Sequence, residues 1–111
     1  MTVKLDELVG VAIDATTGTL GAFGEDEAAR LVAAGREGAV RAVTSVVPEP
    51  IDPWGLADAI TDVVADILRA AGQSLAATMV RAGTALLQRF LATRLTAKIE
   101  GDSLQITILG A

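Results

Sequence analysis

The second half of the chain has hydrophobic residues at every third or fourth position. This spacing extends over residues 53–71 and 74–95 and is interrupted at Gly72. Because apolar residues at such intervals share one face of a helix, the pattern predicts a helix over each range. Asp52 suits the N-cap of the first helix and Pro53 its first turn. The interruption at Gly72 is either a tight turn or a soft spot within one longer helix.

Toward the end of the chain the hydrophobic period shortens to two. Apolar and polar residues alternate on both sides of Gly101-Asp102, which predicts a β-hairpin over residues 96–109 with one buried face. A further strand is predicted near residues 39–47, where a segment rich in β-branched residues ends at Pro48. Three prolines within residues 48–53 indicate a rigid connector, since neither a helix nor a central strand accommodates them.

The N-terminal third carries a weaker pattern. Acidic residues at 25–27 suit the first turn of a short helix that continues to about Gly35. Apolar residues within 3–23 fit a helix, but Thr16-Thr17-Gly18-Thr19 favours a break. A pair of strands is therefore the alternative to a helix in this region.

Together these elements predict a single α+β domain over residues 1–111. Domains usually contain about 100–200 residues, so the length of 111 residues fits one. In this fold, the helices at 53–71 and 74–95 pack on a small antiparallel sheet. The strand near 39–47 and the C-terminal hairpin at 96–109 form that sheet.

The composition argues against catalysis. The chain has no histidine and no cysteine, which excludes histidine acid–base chemistry, serine–histidine triads and zinc–thiolate sites. We therefore expect no catalytic residue, no metal ligand and no cofactor, and no enzymatic activity. Catalysis by carboxylates alone is the remaining enzymatic alternative. The many small residues, 21 alanines and 11 glycines, favour close helix packing over a deep ligand cavity.

A mean hydropathy of +0.50 raises the question of a membrane protein. Near the middle of the chain the longest run without a charge, residues 70–80, has 11 residues. A membrane-spanning helix needs about 20 apolar residues, so we predict no membrane span. The N-terminal segment, with Asp6 and Glu7, lacks the pattern of a secretory signal peptide, and a cytoplasmic location follows as the expectation.

Charge is segregated along the chain. Residues 1–66 contain four basic and twelve acidic side chains, whereas residues 67–98 contain five basic and none acidic. Three aspartates four residues apart form an acidic stripe on one face of the first long helix: Asp58, Asp62 and Asp66. Like charges at this spacing repel one another. The stripe is therefore paired within the domain, faces a protein partner or, as a third alternative, holds a divalent cation.

Several exposed-face residues are candidates for binding a protein partner. Arg81 or Arg89 could face the acidic stripe if the two long helices form a hairpin. Trp54 either covers the end of the core or anchors an interface. The candidate partner-binding residues are Asp58, Asp62, Asp66, Arg81, Arg89 and Trp54. Five basic residues over about 30 positions, with Phe90 as the one aromatic residue among them, do not predict a nucleic-acid site.

The C-terminal segment resembles a known bacterial family. The sequence Lys98-Ile99-Glu100-Gly101-Asp102-Ser103-Leu104-Gln105-Ile106-Thr107-Ile108 is similar to the terminal hairpin of effector-associated constant component proteins of bacterial conflict systems. The resemblance covers roughly residues 36–111. It implies a small non-enzymatic accessory module that accompanies protease, nucleotidase or other effector proteins.

We therefore expect a protein–protein interaction or adaptor module, with a protein partner or a second copy of the chain as its ligand. The alternative is a self-assembling structural subunit of a virion or another large particle. Abundant small residues and few aromatic residues suit close packing between subunits.

Overall fold

The computed structural model describes residues 2–47, 52–101 and 107–109, with side chains described at 4–47 and 52–93. Helices account for most of these residues. The elements in chain order are β1 (Thr2–Lys4), α1 (Leu5–Ala22), α2 (Asp26–Ala34), α3 (Arg36–Val46), α4 (Pro53–Ala70), α5 (Ser74–Ala82), α6 (Thr84–Gly101) and β2 (Thr107–Leu109).

Helix α4 is the centre of the fold. It packs against each of the other five helices in the described part of the chain. Leu56, Ile60, Val64 and Leu68 lie on successive turns of α4 and are fully buried. Their spacing of four residues places them on one face, where they form the middle of the hydrophobic core. The first predicted long helix is thus confirmed, with an end at Ala70.

Both predicted features of the start of α4 are present. Asp52 is extended, and its Oδ1 accepts a hydrogen bond from the backbone N–H of Gly55 at 2.7 Å. Pro53 occupies the first turn, where its missing N–H leaves no helical hydrogen bond unmade. Asp52 therefore caps the helix as the sequence predicts.

Two helices end at a glycine with a left-handed backbone conformation. Gly24 after α1 has φ +81°, and Gly72 after α4 has φ +79°. In both cases the next N–H bonds back to the helix, from Glu25 to the carbonyl of Leu20 at 2.9 Å and from Gln73 to that of Leu68 at 2.8 Å. This pattern is a Schellman cap. Of the two alternatives at Gly72, the tight turn is the one observed.

The N-terminal region is helical rather than a pair of strands. Helix α1 continues through the threonine-rich segment that favours a break. The hydroxyls of Thr16, Thr17 and Thr19 each donate to the backbone carbonyl four residues earlier, at 3.0 Å. These bonds satisfy the hydroxyls without opening the helix.

The predicted strand at 39–47 is wrong, because α3 occupies Arg36–Val46. A strand would place alternate residues on one face, but the buried residues are Ala39 and Val43, four positions apart, and Val46 is 62% exposed. β-Branched residues have only a modest intrinsic preference for strands. Burial of the Ala39 and Val43 face against α1 and α4 outweighs that preference.

The predicted antiparallel hairpin at 96–109 is also wrong. Helix α6 extends to Gly101, and residues 102–106 lie outside the described part of the chain. Leu91, Leu95 and Ile99 are four residues apart, so the segment also carries a helical period that competes with the alternation.

Strand β2 pairs in parallel with strand β1, and Thr107 lies opposite Thr2. Neither strand has another strand neighbour among the described residues. The fold is therefore helical, not an α+β fold with an antiparallel sheet.

The predicted helix at 74–95 is divided into α5 and α6 at Gly83. The backbone there has φ −86° and ψ 5°, and a ψ near zero departs from the helical value. The Thr84 hydroxyl lies 2.7 Å from the carbonyl of Arg81, within the last turn of α5.

None of the helices in the described part of the chain combines the length and the hydrophobicity that a membrane span requires.

A bidentate ion pair links α1 to α3. Arg36 Nε lies 2.8 Å from Asp14 Oδ1 and Arg36 Nη2 lies 3.1 Å from Oδ2. This hydrogen bonding, together with the negative charge of Asp14, raises the pKa of the Arg36 guanidinium. A Cβ built on Gly10 would lie 2.5 Å from Arg36 Nη2. Gly10 thus leaves the space that the guanidinium occupies.

We expect Gly10→Ala to lack the stabilisation that alanine normally gives within a helix. At Gly18, also in α1, an added Cβ meets nothing within 4 Å, and Gly18→Ala should raise the free energy of unfolding by about 0.5–1 kcal/mol. At Gly10 the new methyl group displaces Arg36 and should cancel this gain. Urea denaturation should show that Gly10→Ala regains this stabilisation when Arg36→Ala is also present. The double variant is compared with Arg36→Ala alone. Equal gains at the two glycines with Arg36 present would contradict the steric argument.

Candidate interaction site

An apolar groove lies among the C-terminal half of α1, helix α5 and the start of α6, with α4 at its floor. Its volume is about 410 Å³, and none of the described side chains that line it is charged. Leu20 and Val80 are buried in its walls, and Leu87 and Phe90 are partly buried. We refer to this feature as the α1/α5/α6 groove.

The hydroxyl groups at the floor of the groove are directed toward the protein itself. Thr61 on α4 is buried and donates to the carbonyl of Ala57 at 2.7 Å. Its hydroxyl oxygen lies 3.3 Å from that of Thr84. Thr16 and Thr19 on the α1 wall bond to their own helix. The groove therefore offers mainly apolar contact, and it brings no acid–base pair to a ligand.

Two large apolar side chains on the rim of the groove remain open to solvent. Phe23, at the C-terminal end of α1, is 69% exposed, and Leu86, on α6, is 66% exposed. A cluster of exposed apolar side chains beside a cavity is typical of a binding surface. The spacing of three and four residues in the sequence places Leu86, Leu87 and Phe90 on one face of a helix. It does not show which of these side chains the other helices leave uncovered.

Comparison of the chain with protein-family models, with curated proteins and with solved structures finds no match. The candidate site is therefore defined by its own geometry.

The acidic stripe is largely paired within the domain. Helices α4 and α5 pack against each other, and Arg81 Nη2 on α5 lies 3.0 Å from Asp62 Oδ1 on α4. Arg69 Nη1 lies 3.1 Å from Asp66 Oδ1 in the last turn of α4. Asp58 is exposed and has no ion-pair partner in the described part of the chain. Such exposed pairs stabilise a protein by about 0–1 kcal/mol, enough to offset the repulsion along the stripe.

Trp54 precedes Asp58 by one turn of α4 and continues the line of the acidic stripe, whereas Arg89 lies on α6. Arg89 is exposed on α6 and forms no ion pair with a described residue, whereas the helix-hairpin argument predicted that it could face the aspartates. Trp54, in the first turn of α4, is 66% exposed and does not cover the core. Neither lines the α1/α5/α6 groove. Five of the six predicted partner-binding residues therefore lie on or beside one face of α4, outside the groove, and Arg89 lies on α6.

The metal interpretation of the stripe receives no support from the geometry. No group of three or more metal-ligating side chains is gathered anywhere among residues 4–47 and 52–93. The aspartates project from successive turns of one helix, and two of the three face an arginine instead. The sequence prediction missed the groove, although the helical spacing of Leu86, Leu87 and Phe90 was a signal for one of its walls.

Proposed function

We propose that this chain is a non-enzymatic protein–protein interaction module that binds an apolar protein segment in the α1/α5/α6 groove. The observation that carries the proposal is the uncharged lining of the groove combined with the exposure of Phe23 and Leu86 on its rim. Helical partners commonly place one apolar face in a groove of this kind. The acidic stripe has a smaller role than the sequence indicated, because Asp62 and Asp66 already have partners.

The groove also favours a protein ligand over a nucleic acid. A nucleic-acid site needs basic groups for the phosphates and, for single strands, aromatic platforms. The lining has no described basic side chain, and the chain carries a net charge of −5. The cytoplasmic location and the accessory role in a bacterial conflict system stay predictions.

Peptide selection tests the proposed function. The protein would be immobilised at low density, so that copies remain isolated, and offered a library of random peptides several helical turns long. We expect the enriched peptides to carry apolar residues at i, i+3 or i+4 and i+7. Ala82→Trp, which places a ring at an exposed alanine of the groove, should weaken their binding by about tenfold or more.

Ala33→Trp is the matched control for this experiment. Ala33 is an exposed alanine on α2 that does not line the groove, so its replacement should leave peptide affinity within about twofold. Circular dichroism would confirm that both variants keep the helical fold. Selected peptides that bind equally well to Ala82→Trp would contradict the proposed site.

A self-assembling structural subunit is the second candidate function, and one observation favours it. Trp54 and Val46 are both more than 60% exposed, and neither lines the groove. Apolar side chains at a second location would permit head-to-tail contacts, which extend an assembly instead of closing it. Assemblies that grow with concentration and are lost in Trp54→Ser, but not in groove variants, would support this function.

A further inference from the structure

The two sides of the α1/α5/α6 groove carry charges of opposite sign just beyond the apolar rim. On one side, Phe23 is followed by Glu25, Asp26 and Glu27 at the start of α2. On the other side, Arg89 precedes the lining residue Phe90 on α6. None of these four charged side chains forms an ion pair with a residue that the structure describes.

This arrangement is self-complementary. In a two-fold symmetric contact the same patch is used on both subunits. Every contact between two different features of the patch therefore occurs twice, once on each side of the axis. A second copy placed across the groove can bring its acidic segment 25–27 to Arg89, and the same contact is repeated on the other side of the axis. The exposed Phe23 and Leu86 of each copy then become covered by apolar surface of the other.

We propose that the occupant of the α1/α5/α6 groove is a second copy of this chain, which forms a closed two-fold dimer. This inference rests on the proposed function and names its partner. Complementary charges at the rim set the register of the two copies, and the apolar rim supplies the buried surface. The acidic segment and Arg89, which form no ion pair with a described residue of their own subunit, become paired between subunits.

Sedimentation velocity and light scattering behind size-exclusion chromatography test the dimer. The wild-type chain should change from monomer to dimer with increasing concentration and grow no further. Leu86→Glu should raise the dissociation constant by about 100-fold or more, because the substitution removes an apolar contact on both sides of the axis. Leu75→Glu is the matched control: Leu75 on α5 is 69% exposed but does not line the groove, and its replacement should have little effect.

Charge exchange tests the two-fold register. Arg89→Glu and the double variant Glu25→Lys/Glu27→Lys should each be mainly monomeric, since each homodimer would face like charges at both contacts. Mixed in equal amounts, the two variants should form a heterodimer, because both contacts are then attractive. Arg41→Glu, on the exposed face of α3, is the control charge reversal and should leave the wild-type dimer intact.

Three results would overturn the inference: a wild-type monomer up to about 1 mM, growth beyond the dimer, or charge variants that fail to form the heterodimer. A monomer whose groove still captures the selected peptides would overturn the dimer alone and leave the proposed function standing. A dimer that Leu86→Glu leaves intact, together with peptides that ignore Ala82→Trp, would place both contacts away from the groove and overturn both.

Discussion

Ile60→Ala should lower the free energy of unfolding by about 2–5 kcal/mol. Ile60 is fully buried near the middle of α4, the helix that contacts all the other described helices. Truncation removes buried carbon atoms and leaves a cavity that the surrounding helices fill only in part. Since domains of this size are commonly stable by about 5–15 kcal/mol, the loss would be a large share of the total.

Denaturation in urea, followed by circular dichroism at the helical band, would measure this effect. Trp54 is the chain's one tryptophan and is mostly exposed when folded, so its fluorescence is a weaker probe of unfolding. Leu75→Ala on α5 is the control, because that side chain is 69% exposed and its truncation should change stability by about 0.5 kcal/mol or less. A loss below about 1 kcal/mol for Ile60→Ala would show that α4 is not the centre of a close-packed core.

Ala65→Leu should lower the free energy of unfolding by about 1–3 kcal/mol or more. Ala65 is fully buried on α4, as are Ala57 on the same helix and Ala77 on α5. Small side chains at such positions allow helices to approach closely, so a leucine must displace a neighbouring helix or adopt a strained rotamer. The abundance of alanine in the sequence thus has a direct structural role.

Ala70→Leu is the matched control for the alanine experiment. Ala70 is the last residue of the same helix and is exposed, so a larger side chain there should change stability by about 0.5 kcal/mol or less. Guanidinium denaturation of the two variants side by side separates crowding in the core from any general effect of leucine. An Ala65→Leu protein as stable as the wild type would mean that the space beside α4 is not filled.

The sequence predicted the parts of the fold that depend on neighbouring residues. The period of three to four residues, the Asp52 cap and the interruption at Gly72 located α4 to within one residue of its observed end. The sequence also predicted that Arg81 or Arg89 could face the acidic stripe, and the pairing with Arg81 is the one observed. Each of these features involves interactions within one helix or between two consecutive helices.

The errors occurred where two local patterns compete. Residues 39–47 are rich in β-branched residues yet also place Ala39 and Val43 one helical turn apart, and burial against α1 and α4 selects the helix. The C-terminal segment alternates in polarity yet continues a helical spacing from Leu91, and α6 continues through its first residues. Over so few residues neither period outweighs the other, so contacts with distant parts of the chain decide.

The sequence by itself therefore determined that this protein is built on amphipathic helices of small residues, with charge separated along the chain. Tertiary structure alone decided that the fold is helical and that Arg81, not Arg89, pairs with the acidic stripe. It also decided that the apolar surface left uncovered lies at Phe23 and Leu86. Helix periodicity is a property of adjacent turns, whereas the exposure of a side chain depends on whether a distant segment packs over it.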